Sequence, residues 1–152
     1  MVKIAEALAE RSDCQRRIED LKQRLVKCAR IQEGDQPAED PAALLAEAER
    51  VFDRLQQLIT SINRTNAATP LAGRRTIADA IAERDILGQR RDLFAKLAEA
   101  ASTRQDRYSK SEVKFVAAVS VADVQKRKDQ LAKEFRELDT RIQELNWKTD
   151  MV

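Results

Sequence analysis

VKIAEALAERSDCQRRIEDLKQRLVKCARIQ, residues 2–32, decides the architecture. Ile4, Ala7, Arg11, Cys14, Ile18, Leu21, Leu25 and Cys28 recur in it at alternating steps of three and four residues. That rhythm holds them on one stripe of a helix, the seam of a coiled coil. Lys22, Arg24, Lys27 and Arg30 close the segment with no acid between them, which suits the negative pole of a helix. The spacing predicts one helix over about 2–32.

Three further segments repeat the pattern. After the polar loop Glu33–Pro41, Asp40 and Pro41 read as an N-cap and a first helical residue. The second seam is Leu45, Ala48, Phe52, Leu55, Ile59, Ile62 and Asn66, a helix over about 41–66. Leu44, Val51 and Leu58 widen it, and a stripe that wide meets two neighbours. Pro70 and Gly73 break the next loop, Thr76 and Asp79 cap a third helix over about 76–104, and Ser120 caps a fourth over about 120–147. The third seam runs Ile77, Ala80, Arg84, Leu87, Arg91, Phe94, Ala98 and Ala101. The fourth runs Val121, Val124, Lys128, Leu131, Phe135, Leu138, Ile142 and Leu145.

Between Arg104 and Ser120 the helical period fails. Val113, Phe115, Ala117 and Val119 alternate with their neighbours, which predicts a short strand at 112–119. The chain therefore reads as all-α, a single helical domain over 1–152. Its expected form is an elongated antiparallel four-helix bundle with coiled-coil-like seams and one short β-strand before the last helix.

Composition agrees. Of 152 residues, 36% are charged and 4% aromatic, with only three glycines and three prolines, too few for the turns of a β-sandwich or barrel. No long apolar run exists to span a membrane. The opening residues are already amphipathic helix and not a secretory leader, so cytoplasm is the expected location.

Chemistry is restricted too. The chain contains no histidine, which removes Ser-His-Asp and Cys-His activation and the histidine-based zinc and di-iron sites. Cys14 and Cys28 lie roughly 21 Å apart along one helix, against the ~6 Å between Cα atoms that a disulfide needs, and read as small buried apolar residues. The acidic loop residues Glu33, Asp35, Glu39 and Asp40 lack the spacing of a calcium loop. Lysine plus arginine number 28 and acids 26, a net charge of +2 with both signs interspersed. That pattern opposes a dedicated nucleic-acid binder. No enzyme activity and no cofactor are expected.

Three clusters remain as candidate ligand sites. Arg11, Arg84 and Arg91 sit on seam positions with Lys128, and an antiparallel bundle brings Arg11 and Arg84 to one level near Asp139. They read as a charged layer that sets register, or as a pocket for a small anion or nucleotide phosphate. Asn63, Arg64 and Asn66, in INRTNAAT, either line a site at a bundle end or end the helix through the left-handed conformation that Asn tolerates. Arg107 and Tyr108, with Arg104, Lys110 and Lys114, form a basic segment with one aromatic. The expected partner is a second copy, in an even-numbered, two-fold homo-oligomer. Strand 112–119 would pair with itself there, and Leu44, Val51 and Leu58 would supply the helix surface.

KIAEALAERSDCQRRIEDLKQRL (3–25), QEGDQPAEDP (32–41), INRTNAAT (62–69), RQDRYSKSEVKFV (104–116) and LAKEFRELDTRIQELNW (131–147) together resemble a family of small bacterial proteins. That family is labelled septicolysin-like or left as a domain of unknown function. The resemblance spans nearly the whole chain, with INRTN, RQDRYSKSE and RELDTRIQE as its most specific pieces. It implies a haemolysin-like toxin activity as the alternative to assembly, and it carries no catalytic residues to these positions.

Overall fold

A computed structural model of the chain describes residues 1–103 and 113–152. These residues form α1 (Ile4–Cys28), α2 (Pro41–Ala68), β1 (Pro70–Ala72), β2 (Arg75–Thr76), α3 (Ile77–Ala101) and α4 (Val121–Lys148). The described residues are all-α but for one two-stranded sheet, β1–β2. The chain divides into two compact units, Met1–Pro70 with Glu144–Val152, and Leu71–Gln143.

Local chemistry explains most helix ends. Asp40 Oδ1 accepts from the Ala42 N–H at 3.1 Å, with Pro41 in the first turn. Thr76 and Asp79 close a reciprocal capping box on α3. Ser120 Oγ accepts from the Asp123 N–H at 3.3 Å at the start of α4. α1 is shorter than the heptads predict at both ends. Val2 and Ile4 pair their backbones with Met151 and Thr149, which holds Lys3 extended. Beyond Cys28 the chain turns through Gln32–Asp35, where Gly34 takes a φ of 90°. α2 outruns its expected end. The Thr69 N–H and Oγ1 both donate to the Thr65 carbonyl, at 2.9 and 2.7 Å, and no non-glycine residue described has a positive φ. Asn63 and Asn66 therefore do not terminate it.

In the first unit α1 and α2 run antiparallel. Leu21 and Cys28 meet Leu44 and Ala48, with Leu25 and Val51 against them. Further along, Ala7 meets Leu58 and Ile62, with Leu8, Cys14 and Met151 alongside. Ile4, Leu21 and Ile62 are fully buried, each contributing roughly 1.5–3 kcal/mol, so this seam outweighs the ion pairs at its rim. The width of the α2 stripe was legible but its covered edge is the opposite one. Leu44 and Leu58 are buried, while Leu45 and Phe52 stay about half exposed.

In the second unit α3 and α4 run antiparallel, with Arg84 beside Asp139 and Gly88 beside Phe135. Ile77, Ala80, Leu87, Ala98, Val124, Leu131 and Ile142 form its buried face. Of the strand expected at 112–119, the described residues 113–119 carry no strand in this single chain. Glu112 lies outside the described residues, 113–117 carry no regular structure, and 118–119 bend. Phe115–Val119 instead lie beside Leu97, Ala100, Ala101 and Thr103, forming a groove of about 350 Å³. The sheet arises at 70–76, where Gly73 adopts a φ of 59° and lets the chain fold back.

Candidate functional site

Two of the three seam arginines, Arg84 and Arg91, are engaged. Arg84 Nη1 donates to Asp139 Oδ1 at 3.0 Å, and its Nε and Nη2 reach Asp85 at 3.2 and 3.1 Å. Arg91 lies over the Phe135 ring, 4.7 Å from its centroid, and donates to Asp92 at 3.1 Å. Gly88 lies close beside the same ring. A Cβ there would stand 3.2 Å from Phe135 Cε2. Arg84 thus reaches Asp139 as the helix register predicts.

Arg11 lies in the first unit, half-buried, with its Nε shielded and without a hydrogen-bond partner among the described residues. Asn66 Oδ1 is shielded and unpartnered in the same way. The clusters at Arg11 and at Asn66 sit several turns apart along α1·α2, since Ala7 is level with Leu58 and Ile62. They make no common site. Asn63 and Arg64 are exposed on α2. Arg64 lines a shallow groove of about 430 Å³ with Asp53, Gln56, Gln57, Thr60 and Ser61. Arg107 and Tyr108 lie outside the described residues.

Charges that cross the first unit flank its seam. Arg54 grips Glu10 through two hydrogen bonds of 2.6 and 2.8 Å, Arg24 grips Glu39 at 3.0 and 2.5 Å, and Arg17 pairs with Glu47. The Arg54 guanidinium holds the Glu10 carboxyl below its ordinary value, and Arg24 does the same to Glu39. Glu39 and Asp40, acids of the loop, thus serve as an ion-pair partner and a helix cap. Among the described residues no three Cys, Asp or Glu side chains gather as a metal site, and no helix is long and apolar enough to cross a membrane.

One feature escaped the sequence reading. Thr149–Val152 straps the open end of the α1·α2 pair. Thr149 O accepts from Ile4 N at 3.0 Å, Met151 N donates to Val2 O at 2.8 Å, and Lys3 pairs with Asp150 at 2.7 Å. The Val152 N–H donates to the buried Thr65 hydroxyl, which itself donates to Ser61 O. The only signal was an apolar Met-Val after the last helix.

What is left uncovered is apolar. α2 exposes Leu45, Phe52 and Ile59 at every seventh residue, and α3 exposes Ile86, Leu93 and Leu97. On α3 these lie nearly opposite the face formed by Ile77, Ala80, Leu87 and Ala98, so the helix is apolar on two sides and packed on one.

The chain matches the model of a family of unknown function, DUF6847, over residues 11–151. It also matches the crystal structure of a functionally unknown conserved protein from Corynebacterium diphtheriae. The two are 46% identical, the match covers 99% of each chain, and the TM-score is 0.95. No curated protein matches the chain at a significant level. Nothing in these matches connects it to septicolysin. With a family model covering all but the first ten residues and the last, the chain belongs to the family of unknown function DUF6847.

Proposed function

We propose that this protein is non-catalytic and works by assembly, docking helix faces onto copies of itself. The observation that carries the reading is α3, which presents Ile86, Leu93 and Leu97 to solvent at 46, 67 and 40% exposure while its other apolar face packs on α4. A helix apolar on both sides is stable in water when both are covered. The absence of histidine and the engagement of Arg84 and Arg91 fit a protein without a reaction centre.

This reading rests on the exposed helix faces and is independent of the β-ribbon expected at 112–119, which needs a second chain to form. Light scattering over a micromolar concentration series tests it. A mass of two or more chains is expected, and Leu93→Glu should shift it toward one. A wild-type chain that stays monomeric overturns the reading. Dye-loaded vesicles incubated with the protein should stay intact, and leakage would favour the toxin alternative.

A further inference from the structure

Resting on the assembly reading, we infer that the exposed stripe of α2 is covered by the exposed stripe of α3 from a second copy, with the two helices antiparallel. The spacing carries the first step. Leu45, Phe52 and Ile59 recur every seven residues, as do Ile86, Leu93 and Ala100, the last exposed at the edge of the groove beside Phe115–Val119. Setting Phe52 against Leu93 of the other copy puts Ile59 against Ile86 and Leu45 against Ala100. Two heptad stripes of the same period stay in register along their length.

Charge carries the second step. In this register Asp53, exposed beside the α2 stripe, falls within one turn of Arg90 of the second copy, exposed beside the α3 stripe. On the same side Arg64 falls within one turn of the second copy's Glu83, which also pairs with Arg75 of its own chain. Asp53 and Arg64 already line one groove along this edge of α2. Self-pairing of either stripe is opposed by its own charges. α2 on α2 about Phe52 brings Glu49 against Asp53 of the other copy. α3 on α3 with Ile86 against Leu93 brings Arg90 beside Arg90. Like charges at a seam select against the wrong partner.

Cross-linking separates this register from assembly in general. Chains carrying Phe52→Cys are mixed with chains carrying Leu93→Cys, oxidised mildly and mapped by peptide mass, so that Cys14 and Cys28 are told apart. A 52–93 disulfide joining two chains is expected, because opposed seam positions bring Cα atoms within the ~6 Å that the bond needs. Light scattering on the same samples reports assembly. A mass above one chain without the 52–93 bond overturns the register and leaves the assembly reading standing, whereas a monomer overturns both. Asp53→Arg should weaken association about fivefold or more, and adding Arg90→Asp should restore it to within about twofold. Failure of the double change to restore assembly also counts against the register.

Discussion

In the α1·α2 unit the charges that cross from α1 to α2 and to the loop before it flank the seam, at Glu10–Arg54, Arg17–Glu47 and Arg24–Glu39. In the α3·α4 unit they sit on it. Arg84 meets Asp139, Arg91 stacks on Phe135, and a glycine makes room for the ring. The first pair therefore keeps its ion pairs at the rim of a mainly apolar stripe, in which Arg11 and Asn66 are shielded polar exceptions. The second gives up seam positions to polar groups, and Gly88 leaves Phe135 close to the α3 backbone. A strap closes the end of the first unit, where Met151 packs on its apolar seam.

Removing a seam side chain should have the largest effect. Leu21→Ala in the first unit and Leu131→Ala in the second, both fully buried, should each cost about 3 kcal/mol in urea unfolding. A much smaller loss in the second unit would mean that its seam is not its main support. Gly88→Val comes next. It forces a branched side chain against Phe135 and should cost about 2 kcal/mol, while Gly88→Ala should be close to neutral because better helix propensity offsets the tight contact. Equal behaviour of the two variants in thermal melts would deny that Phe135 packs this close to the α3 backbone.

Arg84→Leu should cost only about 1 kcal/mol or less. Its carboxylate partner is 37% exposed and can return to water, so the penalty of a fully buried orphan charge does not arise. A loss of 3 kcal/mol would show the pair to be sealed.

The smallest effect is acid sensitivity at the rim of the first unit. Glu10 and Glu39 have lowered folded-state values, so their contribution is fully present above the ordinary carboxylate value of 4.5 and is lost as pH falls through the lowered ones. Glu10→Gln should lower stability at neutral pH slightly and flatten its decline below about pH 4.5. A decline as steep as in the wild type would leave the rim without a role. Both exposed pairs should also weaken with added salt.

The residues that make the helices were legible because their signals are local. A seam recurs every three or four positions, and a cap lies within three residues of what it caps, so Asp40, Thr76 and Ser120 announced helix starts that the fold confirms. The Arg84–Asp139 pair followed from the same arithmetic carried across two antiparallel helices. What depends on contacts between distant residues was not legible. The α2 stripe is wide enough to be covered from either edge, and only the packing of α1 chose Leu44 and Leu58 over Leu45 and Phe52. Residues 113–119 alternate like a strand and carry no regular strand structure, whereas 70–76 forms one because a glycine turn brings its two arms together. The strap depends on Met151 meeting Ala7 and Val152 meeting Thr65, contacts that span most of the chain. Periodicity and capping are properties of neighbours in sequence. The covered edge, the strand pair and the strap are properties of neighbours in space, which no local pattern records.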